Sequence, residues 1–188
     1  MPPRLIVVRH GETAWSKSGR HTGRTDLALL PEGEAMARAL GPRLAAEGPF
    51  ALVLTSPLQR ARSTAALAGY PTAVNEPNLM EWDYGADEGR TTSELQAERV
   101  GWDSWRDGYA GAAETVAEVA ARADAVIERA RSTDGTVLVF AHNHLLSVLA
   151  ARWIGLTPSS GSSFTLAPAG LGVLTFRRIH PVIERWNA

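Results

Sequence analysis

The chain contains no cysteine. That excludes disulfides, thiol nucleophiles, cysteine-ligated zinc and iron–sulfur clusters. It also lacks a dominant charge: 19 Lys and Arg against 20 Asp and Glu leave a formal net charge of −1. No overall field draws it to nucleic acid or to an anionic membrane, so anion binding must come from local basic groups. Long apolar runs are missing too. The first, LIVV at 5–8, is too short for the core of a signal peptide, and none is long enough to span a bilayer. A soluble cytoplasmic protein is expected. Internal repeats, low-complexity tracts and linkers are also missing. With 188 residues, 45% of them hydrophobic, the expectation is one domain over residues 1–188 with a sizeable core.

What is present alternates. Short runs rich in Val, Leu and Ile at 5–8, 51–54, 137–140 and 173–176 read as strands buried on both faces, as in a parallel sheet. Weaker strands are expected at 72–74 and 182–186. Between them lie helical patterns. The clearest is 113–131, where Val116, Val119, Ala120, Ala123, Ile127 and Ala130 make one apolar stripe. A helix at 32–47 should kink or split at Gly41-Pro42. Ser56-Pro57 should open a third, with Ser56 as N-cap and Gly69 as the stop. Asn143 should cap a fourth at 144–154, ended by Gly155. Strands alternating with helices argue for an α/β sandwich. Residues 85–112 read as a partly helical insertion near a site, or as a surface excursion that packs its aromatics.

Three of the apolar runs end in polar, reactive residues. LIVV runs into Arg9-His10-Gly11-Glu12, ALVL into Thr55-Ser56 and a helix carrying Arg60, and VLVF into Ala141-His142. In an open parallel sheet, ligands bind beyond the carboxyl ends of the strands. If these ends meet, two arginines and two histidines lie beside two helix N-termini. That arrangement suits an anion, phosphate first. Arg60 near a helix start opposes the helix dipole by up to about 1 kcal/mol unless an anion compensates or the side chain reaches solvent. Alone, His10 is open to a purely structural reading. Its neighbours Arg9 and Gly11, the latter allowing close backbone approach, point to a site.

These residues resemble a known pattern. RHGET from Arg9 resembles the RHG signature of the histidine phosphatase superfamily, the phosphoglycerate-mutase-like enzymes. Four more segments follow in family order: HTGRTDLALLPEGEAMA from His21, TSPLQRARSTA from Thr55, LMEWDYGADEG from Leu79 and VFAHNHLLSVLAARWIG from Val139. The resemblance implies a three-layer α/β/α sandwich with a mostly parallel central sheet. It implies His10 as a nucleophile that becomes phosphorylated, with Arg9, Arg60 and His142 around the phosphoryl group and Glu81 as proton donor. Thr22 and Gly23 fall where the family's loop nears phosphate or substrate, and Ser16 where a phosphate hydrogen bond is plausible. Asn143 stands where the family usually has Gly, with its backbone N–H able to point at phosphate. Trp82, beside Glu81, is expected to line the pocket and, with burial, to raise the carboxyl's pKa. The same reading implies no cofactor and no metal.

Phosphoryl transfer asks mainly for positioning and charge stabilisation, which these residue types supply. His142-Asn143-His144 superficially resembles an HNH or His-x-His metal pair, but no second ligand cluster at metal spacing accompanies it. Lys17, Arg20, His21 and Arg24 form a basic loop, either solvated or touching substrate anions. After Glu81 the chain is acidic and aromatic, unsuited to gripping a small dianionic carboxylate. WSKSGRHTGRTD and EWDYGADEG look more like the acid-phosphatase branch, including enzymes of sugar phosphates and bisphosphates. The expected partner is therefore a small phosphorylated metabolite, with no nucleic acid and no membrane, and with a homodimer left open. Phosphoglycerate mutase is the alternative enzyme. A catalytically inactive binder of phosphorylated ligands is the alternative from another class.

Overall fold

The structure is a computed structural model that describes residues 3–111 and 114–188. Six strands, β1 (Arg4–Arg9), β2 (Phe50–Thr55), β3 (Val74–Asn75), β4 (Thr136–Ala141), β5 (Leu171–Arg177) and β6 (His180–Arg185), form one sheet in the order β3-β2-β4-β1-β5-β6. The first four are parallel. β5 runs antiparallel to β1, and β6 antiparallel to β5. The helices are α1 (Ala14–Ser18), α2 (Pro31–Ala45), α3 (Gln59–Leu67), α4 (Thr92–Glu98), α5 (Ser104–Asp107), α6 (Val116–Arg131) and α7 (Asn143–Trp153).

The unbroken apolar runs follow from two covered faces. Successive strand residues point to opposite sides. Leu5 and Val7 of β1 join Val119, Ala123 and Ile127 of α6 and Leu145 and Leu149 of α7. Ile6 and Val8 join Leu40 and Leu44 of α2 and Ala65 of α3 on the other side. All four β1 side chains are fully buried, worth on the order of 2 kcal/mol each. This is the expected three-layer α/β/α sandwich.

Several local expectations shift. α2 runs straight through Pro42 rather than splitting. Pro42 and Arg38, whose backbone carbonyl loses its partner, are both exposed, so water takes the freed acceptor. α3 begins at Gln59 and not at Pro57, with Leu58 as N-cap. The Ser56 hydroxyl accepts from the Leu58 N–H at 3.3 Å, ahead of the helix, and lies 2.8 Å from His142 Nε2. α7 is capped by position at His142, and Asn143 is its first residue. Its side chain reaches away to accept from the Leu166 N–H at 3.0 Å. α6 starts at Val116 because Thr115 and Glu118 form a reciprocal capping box; residue 113 lies outside the described residues. The 85–112 segment, whose last residue also lies outside them, holds α4 and α5. Its Trp102 and Tyr109 enter the main core, so its aromatics do pack.

Gly33, in the first turn of α2, lies against the loop after β1. A Cβ there would stand 2.1 Å from the Glu12 carbonyl oxygen, and one on Gly11 2.4 Å from that of Gly33. The backbone that Gly11 admits is thus that of α2. Helix propensity alone favours Ala over Gly by about 1 kcal/mol. Overpacking against rigid backbone costs about 1–3 kcal/mol. We therefore expect Gly33→Ala to lower stability in urea unfolding and to disturb the residues after Arg9. A more stable variant would show that propensity wins.

Candidate active site

The strand ends do meet. The His10 N–H donates to Ala141 O at 3.0 Å, extending the β1–β4 ladder by one rung, and the Ser56 N–H donates to Phe140 O at 2.9 Å. His10 and His142 therefore leave adjacent parallel strands together, with ring centroids 5.2 Å apart. Beside them lies a cavity of about 190 Å³ walled by Arg9, His10, Ser16, Thr22, Glu81 and Asn143, together with Gly19, Arg20, His21, Tyr84 and His144.

Hydrogen bonds set the tautomers. His10 Nδ1 lies 2.7 Å from the Gly11 carbonyl, which can only accept. Nδ1 therefore carries the proton, and the lone pair sits on Nε2. Burial, then Arg9 and Arg60, hold His10 well below the ordinary histidine value, so the ring is neutral. In His142 the roles reverse. Arg60 Nε–H donates to its Nδ1 at 3.1 Å, leaving Nε2–H to donate to Ser56 Oγ. Burial and then Arg60 keep this ring neutral as well.

Arg60 is fully buried and stands outside the cavity wall, as does His142. Besides His142, its guanidinium donates to Thr25 O, Thr22 O and Gly23 O at 2.9–3.0 Å. Four of its five N–H groups are thus engaged, and one Nη1–H remains. The expectation that it encircles a phosphoryl group is narrowed to that one donor and the charge. Arg9 is different. It lines the cavity, its Nη1 donates to Leu166 O at 2.6 Å, and its buried Nε has no partner.

Glu81 joins the site to α7. Its Oε1 accepts from the Trp82 and Leu145 N–H groups, and its Oε2 from His144 N–H, at 2.9–3.1 Å. That fills both acceptor sites on Oε1 and leaves one open on Oε2. The first turn of α3 is likewise engaged, with Gln59 N–H donating to Asp26 at 2.6 Å. The expectation of open helix N-termini for an anion therefore needs correction: protein carboxylates take N–H groups at both.

Other expected positions are corrected by burial or bonding. Trp82 is fully buried among Tyr84, Trp105 and Tyr109, donates to Glu114 O, and does not line the cavity. Gly23 also lies outside the wall, pressed to within 2.8 Å of Trp82 O for a built Cβ, and serves through its carbonyl on Arg60. Ser16 lines the cavity, but its hydroxyl donates to Thr13 O and accepts from Thr13 N–H, closing the cap of α1. In the basic loop, Lys17 pairs with Glu32, and Arg24 with Asp83 and Glu114, while Arg20 and His21 reach the cavity.

Residues 5–188 match the family described as the histidine phosphatase superfamily (branch 1). The chain belongs to that superfamily and is a phosphatase. It is 39% identical over 178 residues to an acid phosphatase of Mycobacterium tuberculosis, covering 92% of this chain and 86% of that one. It is 36% identical over 191 residues to a sedoheptulose 1,7-bisphosphatase of Saccharomyces cerevisiae, covering 83% and 69%. Among solved structures, an open reading frame of M. tuberculosis superposes with a TM-score of 0.92 at 34% identity, covering 98% and 96%. A mycobacterial glucosyl-3-phosphoglycerate phosphatase complexed with VO3 superposes with a TM-score of 0.86 at 28% identity, covering 99% of each.

The cavity residues not singled out as binding groups are Tyr84 and His144, with Gly19, Arg20 and His21. The Tyr84 hydroxyl lies 2.7 Å from His144 Nδ1, and His21 packs against Tyr84, Tyr109 and Trp102. The signal for Arg20 and His21 was the basic loop, and for Tyr84 the aromatic character of EWDYG. Burial and then His144 push His21 down to about 4. Burial lowers His144 too.

Four imidazoles with lowered values, His10 and His142 buried and His21 and His144 half-buried, fix the sign of a stability effect. Below about pH 6.5 the unfolded chain takes up protons that the folded chain refuses. Stability is thus full above that pH and falls as pH drops through about 4, where folded His21 also titrates. His21 alone accounts for on the order of 3 kcal/mol when its shift is fully expressed. Urea unfolding between pH 7.5 and 4.5 should show a shallower decline for His21→Gln than for the unchanged chain. Parallel curves would contradict this assignment.

Proposed function

We propose that the protein hydrolyses small phosphomonoesters in two displacements through a phosphohistidine at His10 Nε2. One observation carries the reading: a buried, neutral imidazole whose Nδ1–H is held by Gly11 O lines a cavity beside the partly unpaired Arg9. In the first step the Nε2 lone pair attacks phosphorus and the P–O bond to the leaving group breaks. The proton on Glu81 Oε2 passes to the departing alkoxide. In the second, water gives its proton to the Glu81 carboxylate and attacks phosphorus. The P–N bond breaks, releasing phosphate and restoring neutral His10. Arg9, the remaining Arg60 N–H and the charge of both guanidinium groups stabilise the equatorial oxygens, without a divalent cation.

Sugar phosphates and sugar bisphosphates are the favoured substrates, supported by the bisphosphatase relative. A relative named probable phosphoglycerate mutase, 31% identical over 162 residues, keeps the mutase alternative in view. Release of inorganic phosphate from many esters distinguishes the two, since a mutase interconverts phosphoglycerates and releases little.

Turnover of a labelled phosphomonoester, quenched in base, should leave label on the peptide containing His10. His10→Ala should lose both the label and on the order of 10⁴-fold or more of kcat/KM while staying folded. Label on another residue would refute the nucleophile. Glu81→Gln should slow sugar esters by about 10²–10⁴-fold and nitrophenyl phosphate far less, since a good leaving group needs no acid. Equal losses on both substrates would point instead to damage at the start of α7.

A further inference from the structure

The two arginines of the site are held very differently. Arg60 is fixed by four hydrogen bonds. Among the described residues, the Arg9 guanidinium makes one, from Nη1 to Leu166 O at 2.6 Å. Its Nε is buried without a partner. The direction in which Arg9 presents its remaining donors therefore depends on where the Leu166 carbonyl sits.

Leu166 lies in an irregular segment between α7 and β5. Such a segment has no ladder to fix it, so side chains must. Its own N–H is bound by Asn143 Oδ1 at 3.0 Å. Leu166 is 1% exposed, so water is poorly placed to take over that N–H. Neighbouring ties fix the rest of the segment. The Ser147 hydroxyl donates to Phe164 O, Trp186 Nε1 donates to Thr165 O at 2.8 Å, and Ala167 N–H, which shares a peptide group with Leu166 O, donates to Asn187 Oδ1 at 2.7 Å. At Leu166 itself, the tie is Asn143.

We propose that Asn143 is a positioning residue for Arg9, holding through its side-chain oxygen the Leu166 N–H, one Cα away from the carbonyl that aims the guanidinium. This rests on the reading of Arg9 as a phosphoryl-binding group. The side chain expected as a helix cap is instead turned to the segment behind Arg9. Asn143 belongs to α7, whose next two N–H groups hold Glu81. One helix start therefore sets the position of both the phosphoryl-binding arginine and the proton-carrying carboxyl. Without the amide oxygen, the Leu166 N–H is left to find another acceptor, the backbone turns about the Leu166 Cα, and the carbonyl on its far side shifts off Arg9. A misplacement of about 1 Å in such a group costs up to about 10²-fold in rate.

A double-mutant cycle separates this role from a merely structural one. Phosphate release from nitrophenyl phosphate would be measured for the unchanged chain, Asn143→Ala, Arg9→Ala and the double variant, with thermal unfolding of each as a check on folding. Asn143→Gly replaces Asn143→Ala should the latter fail to fold. We expect Asn143→Ala to lower kcat/KM by about 10–100-fold, mostly in kcat, because aim matters most to the transition state. In the Arg9→Ala background the same change should cost no more than about twofold. An equal loss in both backgrounds, or no loss from Asn143→Ala in folded protein, overturns the proposal. Unchanged turnover by Arg9→Ala overturns instead the reading of Arg9 on which it rests.

Discussion

The parallel pairing of β1 with β4 is the constraint on which the site depends. Its register sets Arg9 opposite Ala141, so the next residues, His10 and His142, emerge side by side. Alternation cannot pin that register, because both faces of β1 are covered and a slip by one residue would keep apolar side chains buried. The ends pin it. Arg4 and Arg9 bracket the four fully buried residues, and Arg4 pairs with Glu47. A one-residue slip would drag a guanidinium between α layers at a penalty of several kcal/mol. The charges that bound the strand thus place the imidazoles.

Behind the cavity, buried cations are stabilised by carbonyls and a histidine. Arg60 gathers the carbonyls of Thr22, Gly23 and Thr25, which locks the loop carrying Thr22 against α3. Breaking such a set would leave an uncompensated buried charge, at about 3–5 kcal/mol. The loop is held from its other side as well, since Glu88 accepts from the Arg24 and Thr25 N–H groups. With Asp26 and Glu81 already bound at the starts of α3 and α7, side chains rather than helix dipoles are left to meet an anion.

The legible parts of the chain were those with local signals. Buried strands declare themselves as apolar runs, so β1, β2, β4 and β5 could be read directly, while the meeting of His10 with His142 stood as a condition that the family resemblance supplied. β3 and β6 were weaker because they are short or half-exposed at the sheet's two edges. The antiparallel course of β5 was not visible, since a buried strand reads the same in either direction. Helix starts misled where a polar side chain had another partner: Ser56 bonds the Leu58 N–H ahead of the helix and His142 as well, and Asn143 bonds Leu166. Tyr84 and His144 were not read as wall residues, and His21 only as part of a basic loop, because three separate segments bring them together.

Residue type also could not distinguish the two central histidines. Both are neutral, both are buried, and each follows a strand of the same pair. What separates them is the partner of Nδ1. A carbonyl obliges His10 Nδ1 to donate, and a guanidinium obliges His142 Nδ1 to accept. His142 Nε2–H then goes to Ser56, so both of its nitrogens are engaged within the protein. His10 Nε2 keeps its lone pair, and His10 lines the cavity while His142 does not. Two imidazoles 5.2 Å apart thereby differ in what they offer: one turns a lone pair to the cavity, as the proposed attack requires, and the other is bonded to Arg60. Exchanging the two Nδ1 partners would exchange the direction of each ring's proton without altering the composition of the site.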